Sequence, residues 1–324
     1  MILVTGAQGL IGRHLSARLE AEGHDVRRFD LRRSASEDIR DTRALVQALD
    51  GVSGVVHLAA VSRVIWGERD PGLCAATNVA ALEQLVKSCA ASSARPWLIF
   101  ASSREVYGQA DRFPVREDAA KMPLNAYARS KVAGEAIVES AASAGLLANI
   151  CRFSSVYGCP QDYPDRVVPA FALAAATGGT VRVEGSGNIF DFTHIDDAID
   201  GLFRLVLATM RAERFAPIHF VTGQGTTLGE LAQLSARHAR APVTIGEAPA
   251  RSFDVCAFIG DPGRALALLG WQPQTSIADG FPCLVHEFAE RAGWPQARNQ
   301  AVAGGGLRKG KWLPGTDSNR RPIG

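Results

Sequence analysis

The chain opens with Met1-Ile-Leu-Val-Thr5 and continues directly into Gly6-Ala-Gln-Gly9-Leu10-Ile11-Gly12, and this stretch decides the fold. The first run is apolar and partly β-branched, which is typical of a buried strand in a parallel sheet. A helical pattern follows from Arg13 to Glu20. Glycines between a strand and a helix allow a tight turn, and the free N–H groups at the helix start bind a pyrophosphate. The order predicts a dinucleotide site; a glycine-rich surface turn is the alternative.

An acidic residue at the end of the next predicted strand indicates which dinucleotide binds. The strand 25–29 ends at Asp30, 18 residues after Gly12. A carboxylate there accepts hydrogen bonds from the two ribose hydroxyls of NAD and repels the 2′-phosphate of NADP. Arg32 and Arg33 follow at once and offer that phosphate a cationic partner instead. Asp30 makes NAD the favoured cofactor, and NADP remains the alternative.

Composition and charge indicate a soluble enzyme. The chain has 324 residues and a formal net charge of +2, too balanced to predict binding to nucleic acid or to a membrane surface. No apolar stretch approaches the roughly 20 residues of a membrane span. The first apolar run stops at Gly6, which is too short for a signal peptide. The six cysteines form no CxxC pair, which predicts buried thiols in a reducing cytoplasm and no metal site.

Strand-like and helical segments alternate along the first half of the chain. This is the pattern of a parallel sheet covered by helices on both faces, so we expect an α/β fold with a Rossmann-type doubly wound parallel sheet. The further strand-like runs are 54–58, 97–101, 147–153 and 217–222, and the clearest helical runs are 73–91 and 126–144.

The regular alternation of strands and helices ends after Cys159. There prolines cluster before a short helix, a strand at 180–184 and a glycine turn. We expect an NAD-binding Rossmann domain at 1–160, completed by a returning strand near 217–222. A smaller α/β substrate-binding cap is expected at 161–300, closing over the carboxyl ends of the strands, where ligands bind in such sheets. Residues 301–324 are rich in Gly, Pro and charge without periodicity, which predicts a disordered tail.

Tyr127 and Lys131 are the candidate proton-transfer residues. Four residues apart in a predicted helix, they lie on one face about one turn from each other. A phenol has a reference pKa of about 10, and a neighbouring ammonium lowers that pKa. Ser103 follows the predicted strand 97–101, and its hydroxyl beside the phenol could hold a reacting oxygen during hydride transfer. The alternative is that Ser102 and Ser103 only cap a turn.

Taken in order, these motifs resemble those of the extended short-chain dehydrogenase/reductases, in the NAD-dependent epimerase/dehydratase family, over residues 1 to 290. The matching stretches are the glycine loop, Asp30, Asp38-Ile39, His57-Leu58-Ala59-Ala60, Asn78-Val79, Ser102-Ser103 with Val106-Tyr107-Gly108, Tyr127 with Lys131, Arg152-Phe153 with Val156-Tyr157-Gly158, Asp191 to Asp197, Pro249 to Val255 and Leu269 to Pro273. The resemblance implies a cytoplasmic enzyme that acts on a nucleotide sugar. It also implies a homodimer formed through a four-helix interface of the segments 73–91 and 126–144.

The resemblance implies a role for each matching residue. Tyr127 would be the base that removes a sugar hydroxyl proton. Lys131 would hold the nicotinamide ribose and lower the Tyr127 pKa together with the cationic nicotinamide ring, and Ser103 would bond the reacting oxygen. The remaining implied cofactor-binding residues are Gly6, Gly9, Leu10, Ile11 and Gly12 at the pyrophosphate, Asp30 at the adenosine ribose, Asp38 and Ile39 at the adenine, and Leu58, Ala59, Ala60 and Asn78 along the groove. Arg251 would meet the nucleotide diphosphate.

Three positions leave the substrate open. Phe190 replaces an arginine that binds the diphosphate in the family, and Ser155 replaces an asparagine that contacts the substrate phosphate. Arg166 and Arg182 are candidates to compensate. Arg63, in the loop after the third strand, is a candidate partner for a substrate carboxylate or phosphate, with a solvated surface charge as the alternative.

The pair Arg104-Glu105 helps to choose the reaction. Sugar 4,6-dehydratases that resemble this family place an acid and a base here, and an arginine cannot act as the acid because it stays charged. Dehydration is therefore disfavoured. Glu105 keeps a nucleotide-sugar decarboxylase open, unless it only pairs with Arg104. We expect a nucleotide-sugar epimerase acting through a transient 4-keto sugar. A 4-keto-sugar reductase and a non-enzymatic dinucleotide-binding protein stay open as well.

Overall fold

The computed structural model describes residues 1–251 and 253–292. In chain order its strands are Ile2–Thr5 (β1), Val26–Phe29 (β2), Gly54–His57 (β3), Trp97–Ser103 (β4), Ala148–Phe153 (β5), Ser155–Tyr157 (β6), Gly179–Glu184 (β7), Ile189–His194 (β8), Ile218–Phe220 (β9), Gly225–Thr227 (β10), Val243–Ala248 (β11) and Ala257–Phe258 (β12). Its α-helices are Leu10–Ala21 (α1), Thr42–Ala48 (α2), Val64–Arg69 (α3), Pro71–Ala75 (α4), Ala81–Ala91 (α5), Ala126–Ser143 (α6), Val167–Thr177 (α7), Ile195–Met210 (α8), Leu228–Arg237 (α9), Gly263–Leu269 (α10) and Ile277–Ala292 (α11). The predicted tail at 301–324 lies outside the described residues.

The central sheet has six strands in the order β2-β1-β3-β4-β5-β9. Every neighbouring pair is parallel. The chain leaves β1 for β2 on one side and then crosses to the other side of β1 for β3. The direction of winding therefore reverses between β1 and β3, which is where ligands bind in such sheets. The expected Rossmann-type fold is confirmed.

Alternating side chains of the central strands supply two separate cores. Ile2 and Val4 of β1 pack on one face with Leu15 of α1 and Leu202 of α8. Leu3, between them, packs on the opposite face with Leu45, Leu82 and Val138, which come from α2, α5 and α6. Because successive residues of a strand point to opposite faces, the unbroken apolar run at the chain start fits a sheet buried on both sides.

The remaining strands form two small sheets beside the central one. Strands β10, β8 and β12 lie in that order, with β6 also paired to β8, and β11 pairs with β7. Helices α7 and α11 pack together and share a core with residues of β7, β8 and α9. The carboxyl ends of the central strands face this part of the chain, because β6 and β8 follow from β5 at that edge.

The predicted helical run at 73–91 is helical throughout, from Pro71 to Ala91, but it contains one irregular turn. Between α4 and α5 the chain makes a wide π-helical turn, Ala76–Ala80, with Asn78 buried in it. The Asn78 side chain accepts a hydrogen bond from Val61 N–H at 2.7 Å and donates to Val61 C=O at 3.0 Å. This contact with a distant loop explains the widened turn, a feature common at functional sites.

Among the described residues, no helix is both long and apolar enough to cross a membrane.

Candidate active site

A cavity of about 710 Å³ opens at the carboxyl edge of the central sheet. It begins at the glycine loop after β1, follows the ends of β2 and β3, and reaches the end of β4 and the start of α6. Of the predicted site residues, those that line it are Gly6, Gly9, Leu10, Ile11, Gly12, Asp30, Asp38, Ile39, Leu58, Ala59, Ala60, Arg63, Ser103, Tyr127 and Lys131. The fold thus brings together residues that lie more than 120 positions apart in sequence.

The glycine loop packs so closely that side chains do not fit. A Cβ added to Gly12 would lie 2.2 Å from the Gly6 carbonyl oxygen, and one added to Gly6 would lie 2.7 Å from the Ala59 nitrogen. Gly6 also has a φ of 69°, which favours glycine. Gly9 precedes α1 and gives the helix no side-chain cap, so the first N–H groups of the helix face the cavity. This arrangement fits a pyrophosphate.

Asp30 is held rigidly at the end of β2. One carboxylate oxygen accepts from Gln8 N–H and the other from Arg32 N–H, both at 2.8 Å. The two following arginines are engaged by other groups: the Arg32 guanidinium reaches Asp30 and the Tyr163 hydroxyl, and Arg33 pairs with Glu37. A fixed carboxylate beside occupied arginines suits a ribose with free hydroxyls, as in NAD.

Ser103, Tyr127 and Lys131 meet at the inner end of the cavity. Ser103 ends β4, and its hydroxyl lies close enough to the Tyr127 phenol to lower the pKa of that phenol. Tyr127 lies in the first turn of α6, which begins after the capping residue Asn125. The Lys131 ammonium donates to the Ala101 carbonyl at 2.7 Å and lies 5.8 Å from the Tyr127 ring centroid. The three groups are arranged for proton transfer to or from a substrate oxygen.

Burial has the largest influence on the pKa of Tyr127 in this structure. Burial raises the pKa of Tyr127 to about 12, against the hydrogen bond from Ser103 and the charge of Arg166, which lower it. Lys131 is bonded to a main-chain carbonyl instead of the phenol, and burial lowers its own pKa to about 8. At neutral pH the phenol is therefore protonated, and Arg166 is the cation that favours its ionisation.

Four predicted residues lie away from the cavity wall. Asn78 holds the loop after β3 through Val61, and its amide also donates to Ser130 at 2.9 Å. Glu105 binds Arg104 at 3.0 Å and Asn125 at 3.1 Å, so the plain pairing considered for it is what the structure shows. Ser155 pairs with β8, and its neighbours on either side line the cavity instead.

Arg251 is the fourth of these residues. Its guanidinium is 42% exposed and binds Asp254 at 2.7 Å and Glu184 at 3.3 Å. Of the two arginines considered as compensation for Phe190, Arg166 lines the cavity and pairs with Asp162 at 3.1 Å. Arg182 is 72% exposed and pairs with Glu184. Arg166 is therefore the one placed to meet a ligand.

Tyr163 is the main cavity residue that the sequence did not predict. Its ring stands edge-on to Trp66 at 4.8 Å, and Arg63 and Arg32 lie at about 6 Å from its centroid. Arg63 also forms an ion pair with Asp165 of the same segment. The segment thus crosses the mouth of the cavity. The sequence feature that could have indicated Tyr163 as a site residue is its place as an aromatic residue between Pro160 and Pro164.

The glycine loop, the fixed acid and the Ser–Tyr–Lys group at one sheet edge define an NAD-dependent enzyme that moves a hydride and a proton on its substrate. The NAD dependent epimerase/dehydratase family matches residues 2–218, and the chain belongs to this family.

Known proteins of this family are similar over nearly the whole chain. A UDP-glucose 4-epimerase of Mycolicibacterium smegmatis is 30% identical, over 90% of this chain and 99% of its own length. A probable UDP-glucuronate 4-epimerase of Rhizobium meliloti is 27% identical, over 88% and 96%. The solved structure of MoeE5 with UDP-glucose and NAD has a TM-score of 0.82 and 29% identity, over 90% of this chain and 99% of that one. The expected family, the cofactor NAD and an epimerase of nucleotide sugars are confirmed.

Proposed function

We propose that the protein inverts the configuration at C4 of a UDP-sugar and keeps its NAD bound through the cycle. The observation that carries this proposal is the meeting of Ser103, Tyr127 and Lys131 with the glycine loop and Asp30 in one cavity. The relatives that act on UDP-glucose and UDP-glucuronate support a UDP-sugar as the substrate.

The side chains of the site would act in sequence on the C4 hydroxyl. Ser103 holds that hydroxyl against the Tyr127 phenol, whose pKa it lowers. Bound NAD supplies the acceptor, and later the donor, of the C4 hydride. Tyr127 takes the hydroxyl proton as the 4-keto sugar forms, and returns it after the sugar has presented its other face. Because the proton goes back to the same oxygen, Tyr127 ends each cycle as it began.

Charge around Tyr127 would set when it acts as a base. Burial and the Glu105 carboxylate raise its pKa, and Arg166 lowers it. Lys131 holds the main chain at Ala101 and lies on the same helix face as Tyr127, where it would bind the nicotinamide ribose. Closure of the site around substrate would strengthen these charge interactions, because they grow as water is excluded.

Substrate contacts are proposed for residues at and beyond the cavity wall. Arg166 and Arg63 line the cavity and would meet phosphate oxygens there by exchanging their present carboxylate partners. Arg251, which pairs with Glu184 of β7, and Ser155, which pairs with β8, would meet the diphosphate from the smaller sheets. We propose residues 1–160 with the returning strand as the cofactor domain and 161–300 as the substrate-binding part.

A decarboxylase remains the second candidate because of Glu105. Its carboxylate is buried and its charge acts on Tyr127, so it lies close to the reacting centre. Its bonds to Arg104 and Asn125 favour a holding role over that of a free base. Dehydration is disfavoured, since Arg104 stands in place of an acid.

The deciding experiment combines cofactor and product. Purified protein is denatured and the released NAD quantified, and separate samples are incubated with UDP-glucose, UDP-galactose, UDP-glucuronic acid and UDP-galacturonic acid. We expect close to one NAD per chain and interconversion of one C4-epimeric pair without added cofactor. Stoichiometric consumption of added NADH would instead identify a reductase. Absence of NAD together with no change in any sugar would refute the proposal.

We also propose a cytoplasmic homodimer. All six cysteines are free thiols, and four of them are buried, as suits a reducing compartment. The helices α5 and α6 pack side by side on one face of the sheet, where two copies would form a four-helix interface. Light scattering coupled to gel filtration gives the mass directly; a monomer at micromolar concentration would contradict the dimer.

A further inference from the structure

Glu37 lines the cavity beside Asp30, and the reaction described above gives it no part. It lies in the loop between β2 and α2. One of its carboxylate oxygens, Oε2, accepts a hydrogen bond from Asp30 N–H at 3.0 Å, and the side chain is 14% exposed. The carboxylates of Asp30 and Glu37 therefore both belong to the end of the cavity that suits the ribose of NAD.

Arg32 and Arg33, which directly follow Asp30, would by themselves favour a different cofactor. Both line the cavity. An arginine near the end of the second strand is what accommodates the 2′-phosphate of NADP, and the planar guanidinium matches phosphate oxygens. One carboxylate against two guanidinium groups leaves a positive balance, so Asp30 alone is a weak barrier to that phosphate.

Glu37 removes this positive balance by engaging Arg33. The Arg33 Nε donates to Glu37 Oε2 at 2.9 Å, and its Nη2 donates to Oε1. Burial raises the pKa of Glu37, but the hydrogen bonds from Arg33 and from Asp30 N–H lower it by more, so the carboxylate is charged at neutral pH. Arg32 in turn lies 3.6 Å from the Asp30 carboxylate. Each arginine is thus matched by one acid.

The Oε2 atom of Glu37 has two partners, and this sharing makes the ion pair with Arg33 hard to open. A phosphate that took Arg33 away would leave the Glu37 carboxylate without its cation, next to the incoming negative charge. If the carboxylate then turned away, Asp30 N–H would lose its acceptor, and an unpaired main-chain donor is unfavourable. Either way the 2′-phosphate is opposed, whereas a free ribose hydroxyl is not.

We infer that Glu37 is a second determinant of cofactor specificity, which excludes NADP by holding Arg33 and by adding negative charge beside Asp30. This inference rests on the proposed function for a dinucleotide that stays bound, and it concerns which dinucleotide is retained. With Asp30 altered alone, Glu37 still holds Arg33, and with Glu37 altered alone, Asp30 still faces the ribose. The preference for NAD is lost only when both acids are neutralised.

The test is competition between the two dinucleotides in Asp30→Asn, Glu37→Gln and the double variant. Each purified protein is incubated with equal, excess concentrations of NAD and NADP until the bound ratio is constant, then desalted and denatured, and the released dinucleotides are quantified. Relative to the unmodified protein, we expect the NADP-to-NAD ratio to rise about 10-fold in each single variant and at least about 100-fold in the double variant. Glutamine keeps an oxygen that accepts from Asp30 N–H, so the loop is preserved.

Glu22→Gln is the matched control. Glu22 pairs with Arg18 at the same i, i+4 spacing, is 45% exposed and follows α1 at the end away from the glycine loop. The bound ratio in this control should stay within about 2-fold of the unmodified protein. Adding Arg33→Met to the double variant should lower its NADP-to-NAD ratio again, because the freed guanidinium is the partner of the phosphate.

The inference is overturned if Asp30→Asn and the double variant hold the same share of NADP, or if Glu37→Gln lowers the content of both dinucleotides equally, which is the effect of a purely structural loop contact. An unchanged ratio on adding Arg33→Met would overturn it as well. Should Glu37→Gln fail to fold, Glu37→Ala is measured with the same expectation. The assay records bound dinucleotide and no sugar turnover, so a negative result leaves the epimerase proposal standing. A failure of that proposal, with bound NAD but no C4 inversion, leaves the ratios to decide this inference.

Discussion

The two halves of the cavity are built in different ways. The cofactor half is made by main chain: Gly6 and Gly12 leave no room for side chains, and Asp30 is fixed by two main-chain N–H groups. The substrate half is made by charged side chains that pair across distant segments, such as Arg63 with Asp165, or within one segment, such as Arg166 with Asp162. Main-chain geometry tolerates little change, whereas side-chain pairs can be exchanged singly. Cofactor choice is therefore hard to alter and substrate choice is adjustable.

Tyr127 stands where the two halves meet, and Tyr127→Phe gives the largest expected effect. Removal of the phenol hydroxyl should lower kcat by about 10²- to 10⁴-fold, because the C4 proton loses its acceptor. The content of NAD should stay at the level of the unmodified protein, since the main chain that holds it is untouched. The measurements are the rate of C4 inversion and NAD per chain after denaturation. Loss of NAD in this variant would show that the cofactor half of the cavity depends on the Tyr127 hydroxyl as well as on the main chain.

Gly12→Ala tests the main-chain character of the cofactor half. The added Cβ would meet the Gly6 carbonyl oxygen at 2.2 Å and the Ala7 Cα at 2.9 Å. We expect the free energy of unfolding to fall by about 1–3 kcal/mol, as for overpacking elsewhere, and NAD to be lost on purification. Gly187→Ala is the control, because no heavy atom lies within 4 Å of its added Cβ. Full NAD content in Gly12→Ala would contradict the view that close main-chain packing forms the cofactor half.

Lys131 gives the cofactor half a pH dependence. Burial lowers its pKa from 10.5 to about 8, so between pH 8 and pH 10 the unfolded chain binds more protons than the folded one. The free energy of unfolding should therefore rise with pH in this window, by on the order of 2 kcal/mol relative to Lys131→Met. Urea unfolding at both pH values measures it, with the 61% exposed Lys87→Met as control. Parallel pH curves for the Lys131→Met and unmodified proteins would contradict the expectation.

Arg251→Ala should have the smallest effect, and it tests whether the substrate site extends beyond the cavity wall. The ion pairs of Arg251 with Asp254 and Glu184 are exposed, so the free energy of unfolding should change by less than about 1 kcal/mol. Affinity for UDP should nevertheless fall several-fold, because a charge-assisted contact to the diphosphate is lost. Calorimetric titration with UDP measures it. An unchanged affinity would mean that the diphosphate is held from inside the cavity, by Arg166 or Arg63.

The sequence predicts the cofactor half well because each of its signals is local. The strands at 54–58 and 147–153 are found within one residue at each end, since continuous apolar runs mark buried strands. The turn at Asn78 escapes prediction because it depends on Val61, on another element. Helical spacing placed Tyr127 and Lys131 on one face correctly. It could not show that burial affects the Tyr127 pKa more than nearby charges do. Nor could it show that the Lys131 ammonium donates to the Ala101 carbonyl.

The substrate half resists prediction for the corresponding reason. Arg63 pairs with Asp165 and Arg251 pairs with Glu184, and both partners lie on segments far away in sequence whose approach no spacing encodes. Arg104 with Glu105 is the exception, because the two residues are neighbours in the chain. Even there, the contact with Phe190 depends on β8 reaching the end of β4.

The path of the chain also limits how such a protein can diversify. After β8 the chain returns to lay α8 across one face of the central sheet and to add β9 as its last strand. A recombination that exchanged everything beyond residue 160 would replace both elements, so the incoming helix would have to repack on the apolar face that carries Val4 and Ile99. Inheritance of a new specificity as a complete C-terminal half therefore requires a compatible core as well. Point changes, or insertions in loops that leave α8 and β9 in place, avoid this requirement.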